Sequence, residues 1–577
     1  MSQATAAADP RLIERPSALR RVISARNVIV ALVAAAIAYL ALVPLAFLLW
    51  QTFVKDGRPS VDSFRGAYST TGLGRMTVNS LEFAFGSSAL AIVIGTALAY
   101  LVVRTDVAFK PLLFVASLVP LIIPGILHTI AWIFLADPNI GILNKYAIKP
   151  LDGGHPFTVQ SIPGMIVVEG IHLAPLVFLL MVAAFRSMDP SLEESAIMSG
   201  ASLRSVFFRV TLPLARPALY AAILIMVVRG LESFEVPALL GLPNHIFVFT
   251  SRIWDVLHAL PPNYSQAGAY AMSLLVLTTI GVLWHSRLTK RARAYQTVTG
   301  KGFRPRPLQL GVWKWPATFL VLAYFVIAVV LPLLVLAYAS TQNFYSPPTR
   351  ATLSNMTLEP YRTVLHDDLV KHALKNSIIL GLGSATVVML FAAVASWLVV
   401  RTRVRGRWVI DNLAFLPLTI PGLVLGVALL AIYLRMPGLP IYGTLWILFI
   451  AYLTRYMPYG MRYSSTSMFQ IARELEECAQ MSGAGWFQSF RRIVLPLLVP
   501  GFVAGWIYIL IVSVRELGSS VLLYSPGREV LSIAIWEMNA NGQFTELAAL
   551  GIMMVGGLVV LVAIAYRLGA RIGVRES

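Results

Sequence analysis

Apolar residues along this chain gather into long runs separated by short polar stretches. Twelve such runs lie near residues 27–50, 79–103, 112–135, 163–185, 217–241, 266–284, 315–340, 376–400, 409–434, 441–461, 499–523 and 545–566. An α-helix needs about 20 apolar residues to cross a bilayer core, and nearly every run meets that length. The pattern predicts an all-α polytopic membrane protein with about 12 transmembrane helices. The first run, "NVIVALVAAAIAYLALVPLAFLLW", is too long for a signal-peptide core and has no small-residue cleavage site after it, so a retained anchor is expected.

Composition agrees with the pattern and overrides the soluble multidomain reading that 577 residues would otherwise suggest. Only 13% of residues are charged, and the mean hydropathy is +0.74. A formal charge of +19 would suit a nucleic-acid binder. The positions of the charges argue otherwise. With the N-terminus inside, the inner segments carry 30 of the 46 Lys and Arg, which is the positive-inside bias of an inner-membrane protein with both termini cytoplasmic. The expected surroundings are therefore the lipid bilayer, with no nucleic-acid partner. Cys478 is the single cysteine. It cannot form an internal disulfide, and it reads as a small residue in place of Ser or Ala, with no metal site expected.

The chain repeats itself. "NSLEFAFGSS" and "LAYLVVRT" in the first half return as "NSIILGLGSA" and "ASWLVVRT" at an offset of 297, which "PLIIPG" (120–125) and "PLTIPG" (417–422) preserve. A later pair, "LEESAIMSGASLRSVFFRVTLPL" from Leu192 and "LEECAQMSGAGWFQSFRRIVLPL" from Leu475, keeps 13 of 23 positions at an offset of 283. The first half thus holds 14 more residues between those points, assigned to the polar stretch 136–156. Six spans per half is an even number, so both halves enter the membrane in the same orientation as parallel repeats. The expected organisation is a cytoplasmic segment 1–26, a first half 27–286, a basic linker 287–314 and a second half 315–577. The linker's charge can also attract anionic lipid.

The repeated polar pair occupies loops 189–217 and 472–500. In the first, Asp189 and Pro190 read as N-cap and first helical residue, Glu193 and Glu194 sit in the first turn, and Gly200 breaks the helix. Leu203, Val206, Phe207 and Val210 then mark one face of a second short helix, which Leu212-Pro213 is expected to end. The second copy supplies Glu476, Glu477, Gly483, a face at Trp486, Phe490 and Ile493, and Leu495-Pro496. Two such elements in equivalent positions suit a two-fold cytoplasmic partner; an amphipathic helix lying on the membrane is the plainer alternative.

Glu194-Ser195-Ala196-x3-Gly200-x9-Val210-x-Leu212-Pro213 resembles the EAA loop, E-A-A-x3-G-x9-I-x-L-P, of bacterial ABC importer permeases. Glu477-Cys478-Ala479-x3-Gly483-x9-Ile493-x-Leu495-Pro496 resembles it again. Ser195 and Cys478 depart at the first alanine, and Val210 departs at the isoleucine. The resemblance implies a type I ABC importer fold, with two cytoplasmic ATPase subunits docking on these loops and a separate solute-binding protein outside. ATP and Mg would be held by the ATPase and not by this chain. It places ATPase coupling on Glu193, Glu194, Ala196, Gly200, Arg209, Leu212 and Pro213, and on Glu476, Glu477, Ala479, Gly483, Arg492, Leu495 and Pro496. The fused plan resembles the ferric-iron (Fbp/Sfu/Afu-like) permeases. Thiamine, polyamine and phosphonate importers are the alternatives.

No site for catalysis is evident. "TGKGFRP" near Lys301 lacks the upstream glycine and strand of a phosphate-binding loop, so the chain is expected to be a non-catalytic transport subunit. Charged residues within spans are costly in lipid and mark candidate pathway positions. Arg229 and Glu232 lie three apart, with Glu235 read as continuing their face, and Arg515 and Glu516 fall in the corresponding span. A self-satisfied ion pair is the structural alternative for the first two. His128 and His172 fall in spans three and four and could face the same route. A secondary transporter with two parallel six-helix halves is the rival of a different class; it lacks the repeated EAA pattern.

Overall fold

The computed structural model describes residues 25–571 except 56, 70–71, 149, 151–156, 293–306, 403–405, 436–437 and 439. Most of the N-terminal segment, the middle of the linker and part of the 136–156 stretch therefore lie outside the described residues.

The first half contains α1 (Ala25–Phe53), α2 (Leu73–Arg104), α3 (Lys110–Leu118, with a 3-10 turn Val119–Leu121), α4 (Gly125–Ala136), α5 (Ile162–Ser187), α6 (Ser191–Met198), α7 (Leu203–Leu214), α8 (Arg216–Glu232), α9 (Phe249–His258) and α10 (Tyr264–Ala292). The second half follows with α11 (Gly311–Ala339), α12 (Asp368–Arg401), α13 (Arg407–Phe415, with a 3-10 turn Leu416–Thr419), α14 (Gly422–Tyr433), α15 (Leu445–Gln470), α16 (Glu474–Met481), α17 (Phe487–Val514), α18 (Leu531–Ala540) and α19 (Phe544–Arg571). A hairpin of two-residue strands, Val54–Lys55 and Arg58–Pro59, caps α1.

Eight of these helices are long and apolar enough to cross a membrane, and three bent pairs bring the number to 11. A further span is supplied by α15. It has 26 residues, but Arg455, Arg462 and its tyrosines make it too polar to be counted on apolarity alone. The expected dozen is thus present as an all-helical pair of repeats, with four corrections to its outline.

The third spans are not continuous. α3 meets α4 at 96° and α13 meets α14 at 104°. Pro124 and Pro421 each precede the second piece; proline lacks an N–H donor and disfavours a helical residue before it. The fifth span of the first half bends by 73° between α7 and α8 and stops at Glu232 instead of reaching 241, so Glu235 starts a new turn after Ser233-Phe234. Leu495-Pro496 does not end the second short loop helix, which continues as α17, whereas the first ends at Leu214, one residue past Leu212-Pro213. A single π turn at Phe207–Thr211, and at Phe490–Val494, shifts the hydrogen-bond register just before Pro213 and Pro496, so the missing donor falls at a local helix start. Last, Asp189 stands one position earlier than expected. Pro190 is the N-cap, and the Asp189 carboxylate accepts from Ser191 N at 2.9 Å. That hydrogen bond holds its carboxyl below the usual range.

The halves are joined by more than the chain. The last described linker residues return to the turn after α2: Leu308 N donates to Arg104 O at 2.8 Å, Asp106 N to Leu308 O at 3.0 Å, and Leu310 N to Asp106 Oδ1 at 2.8 Å. At the opposite end, Tyr345 of the second half stacks on Phe134 of the first, ring centroids 4.2 Å apart, and donates to its carbonyl at 2.6 Å. Within the enlarged first-half loop, Asn144 donates to the carbonyls of Ala136, Asp137 and Phe157 and accepts from Phe157 N.

Candidate functional site: two repeated loops and a cavity between the halves

In each loop the two adjacent glutamates part company. Glu193 is buried. Its Oε2 accepts from Arg104 Nε at 3.0 Å and also from Arg104 Nη2, and its Oε1 accepts from Thr211 Oγ1 at 2.5 Å. Glu476 repeats the arrangement with Arg401, whose Nε lies 3.2 Å from Oε1, and with Trp397 Nε1 at 3.3 Å from Oε2. The Arg401 N–H points off the carboxylate, so this pair is ionic without being a good hydrogen bond. Glu194 and Glu477 are exposed.

The first loop helix then closes in a Schellman turn: Ala201 N donates to Ala196 O at 3.0 Å and Gly200 N to Ile197 O at 2.8 Å. Ala484 N donates to Ala479 O at 3.0 Å in the second copy. Gly200 and Gly483 adopt φ of 86° and 85°. A Cβ there would meet nothing within 4 Å, so glycine is required by backbone conformation and not by space.

The apolar face of the second short helix turns inward. Phe207 packs edge-on to Tyr100 and Phe490 to Trp397, at 4.5 and 5.8 Å. The outer surface of α6 and α16 carries other residues: Leu192 and Met198 are 50% and 90% exposed, and Leu475 and Met481, at the same 283 offset, 46% and 90%. Arg209 and Arg492 are exposed, Leu212, Pro213 and Leu495 are partly covered, and Pro496 is exposed.

Between the halves lies a cavity of about 210 Å³. All five charged residues singled out within the spans line it. They come from both halves: Arg229 and Glu232 from α8, Glu235 just beyond it, and Arg515 and Glu516 at the end of α17. The alternative reading, a self-satisfied Arg229–Glu232 ion pair, does not form among the described residues. Arg229 Nη2 donates instead to Tyr459 OH at 3.0 Å. Glu516 Oε2 pairs with Arg455 Nε at 3.0 Å and accepts from Tyr456 OH at 3.0 Å; its Oε1 accepts from Ser519 N at 3.1 Å.

The wall holds residues that sequence reasoning passed over: Glu169 of α5, Arg455, Tyr456 and Tyr459 of α15, and Tyr508 of α17. Glu169 and Arg455 satisfy the same criterion as the five, a charge inside an apolar run, in "MIVVEGIHL" and "AYLTRYMPYG". His172 lines the cavity and His128 lies behind it, ring centroids 5.1 Å apart. Among the described residues no group of three or more His, Cys, Asp or Glu is placed to hold a metal ion.

Two helical repeats of like orientation in sequence, each with a glycine-turned loop at one end and a charged wall facing a shared cavity, define a transport permease. A family profile described as the binding-protein-dependent transport system inner membrane component matches residues 91–294 and 388–574, once per half. The chain belongs to that family: it is a fused two-domain ABC permease, a multi-pass inner-membrane transport component and not itself a catalyst. It is 26% identical over 472 residues to the Fe(3+)-transport system permease protein FbpB 2 of Haemophilus influenzae, covering 81% of this chain and 84% of that one. The ferric transport system permease protein FbpB of Actinobacillus pleuropneumoniae is 24% identical over 70% of this chain, which spans 57% of that relative's length. A putative 2-aminoethylphosphonate transport permease, PhnV of Salmonella paratyphi A, is 28% identical over 38% of this chain and 82% of its own. A solved alginate ABC importer in complex with its periplasmic protein overlays 45% of this chain and 95% of that one at 20% identity, TM-score 0.37.

Proposed function

We propose that this permease imports ferric iron, driven by two cytoplasmic ATPase subunits that dock on loops 189–217 and 472–500 and fed by a solute-binding protein at the opposite face. Both termini are cytoplasmic in this reading, and ATP and Mg are held by the ATPase subunits, with no cofactor on this chain. The observation that carries it is the pair of loops. Two surfaces with one geometry, each with an exposed Leu–Met pair and an exposed glutamate at the same position, Glu194 or Glu477, suit two copies of the same partner. A lone amphipathic helix on a membrane would not require the Schellman turn and the buried Glu193 and Glu476 anchors in both copies.

For the cargo, two observations point the same way. Relatives named for ferric transport match across both halves, one of them over 81% of this chain and 84% of its own length. The cavity wall carries the acidic side chains of Glu169, Glu232, Glu235 and Glu516 among Arg229, Arg455 and Arg515, carboxyl groups that suit a cationic cargo. The cavity is then part of the translocation route. The test is uptake into vesicles holding this chain, its ATPase and its binding protein, with radiolabelled Fe³⁺, spermidine or 2-aminoethylphosphonate offered separately. ATP-dependent Fe³⁺ uptake is expected. Uptake of either alternative with none of iron overturns the cargo, and uptake without ATP overturns the ATP-driven mechanism.

A further inference from the structure

Docking on the loops does not account for the second repeated motif, PLIIPG and PLTIPG. The first Pro–Gly break lines the cavity at Gly125 and the second packs against Arg455 of its wall; each break presents two helix ends, a carbonyl end and an amide end, whose dipoles attract cations and anions respectively. In the first half the carbonyl end is Leu121 and the amide end begins at Gly125. The Arg515 guanidinium, from the second half, donates to Leu121 O. The Glu235 carboxylate rests on the face of Gly125 where a Cβ would stand. Both ends of this break thus meet the charge that their dipoles favour.

In the second half the corresponding face of Gly422 is filled by the Arg455 guanidinium. A cation is a poor neighbour for a helix amide end. Glu516 offsets it, 3.0 Å from Arg455 Nε. Arg515 and Glu516 are consecutive residues, so one dipeptide reaches both breaks.

The dipeptide also ends an unusual helix. α17 is one unbroken helix of 28 residues, from just past the Gly483 turn of the second loop to Val514, with the π turn and Pro500 inside it and Arg515 as its C-cap; at 1.5 Å per residue it is about 42 Å long. Its first-half counterpart is bent by 73° at Ala215 and stops at Glu232. An unbroken helix carries an axial or rotational displacement towards its far end, and a 73° break absorbs it.

We infer that α17 and its terminal Arg515-Glu516 form one rod that positions both Pro–Gly breaks, so that the second loop drives the cavity wall more directly than the first. Arg515 and Glu516 are positioning residues: they hold the broken spans in register across the halves. The inference rests on the importer reading for what moves the loop, but the clamp itself needs no nucleotide.

The test uses the full transporter with its ATPase subunits in nanodiscs. The exposed Cys478 is replaced by Ser and a reporter, Ser233→Cys, is placed in the cavity wall. Without nucleotide, Arg515→Met and the isosteric Glu516→Gln are each expected to change the rate of labelling by a membrane-impermeant maleimide about tenfold, the population shift set by losing one charge-assisted hydrogen bond. Arg515→Lys, which keeps a donor, is expected to stay within about twofold of the parent. With ATP and vanadate, Val503→Gly in α17 is expected to blunt the nucleotide-induced change more than Tyr220→Gly, its counterpart in α8. The clamp is overturned if Arg515→Met and Glu516→Gln both label at the parent's rate, or if Arg515→Lys matches Arg515→Met. Equal effects of the two glycine substitutions overturn the asymmetry. A parent that does not respond to ATP counts against the importer reading, and the nucleotide-free arm still decides the clamp.

Discussion

Glu193 and Glu194 are neighbours in the chain and opposites in environment. The first is 2% exposed against an equally buried Arg104; the second faces outward. Removing one partner of a buried pair leaves an uncompensated charge and costs about 3–5 kcal/mol. Arg104→Met is therefore expected to lower the midpoint of thermal unfolding in detergent sharply. Arg401→Met should cost less, about 1–3 kcal/mol, because its contact with Glu476 is an ion pair without a hydrogen bond and Trp397 keeps the carboxylate partnered. Equal or reversed losses would refute this reading of the two anchors. At this scale the sequence was half legible. Both copies of "LVVRT" and both copies of "LEE" were visible as repeats, but nothing in their spacing says that the arginine of one binds the first glutamate of the other. That pairing depends on how α2 lies against α5 and the loop, and on the buried arginine's need for a counter-ion.

Among elements, the loop helices depend on their glycine turns. With φ near 86° and open space around, Gly200→Ala meets no clash but must hold a left-handed conformation, at about 1–2 kcal/mol. Gly200→Ala and Gly483→Ala should leave the spans folded and raise protease cleavage confined to residues 199–202 and 482–485; unchanged cleavage would mean that the turn tolerates the strain. The Pro–Gly breaks respond differently. At Gly125 the obstruction is the tip of the Glu235 side chain, which can swing away. Gly125→Ala should thus cost under about 1 kcal/mol yet displace the carboxylate from the amide end of α4, reducing uptake at least severalfold with little change in thermal midpoint. A parallel fall in midpoint and uptake would show a packing defect instead. The breaks themselves were legible as Pro–Gly pairs. The break at Ala215, and its absence within α17, were not: the same Leu-Pro-Leu followed by a further proline, Pro217 or Pro500, meets a 73° bend in one half and lies inside an unbroken helix in the other.

As a whole molecule the chain is two permease halves that share one cavity, and the shared surface is what holds them together. Arg229 reaches Tyr459, Arg515 reaches Leu121, and Tyr345 stacks on Phe134, each across the halves. The covalent link adds a high effective concentration, and at Leu308 the chain rejoins the first half at Arg104 and Asp106. A relative such as PhnV, matched over 82% of its own length by 38% of this chain, shows that one repeat is the size of a whole permease polypeptide. If the interface and not the tether makes the assembly, cutting the chain between residues 299 and 300 should be tolerated. Fragments 1–299 and 300–577, coexpressed with an affinity tag on one, are expected to copurify as a one-to-one complex and to retain a substantial share of the uptake of the intact chain. Deleting 307–313 from the second fragment removes Leu308 and Leu310, and with them the stitch to the turn that carries Arg104. That shorter pair should still associate through the cavity wall but lose thermal stability, since the Glu193 anchor then rests on an unsupported turn. Copurification only of the uncut chain would show that the linker itself is what holds the halves in register.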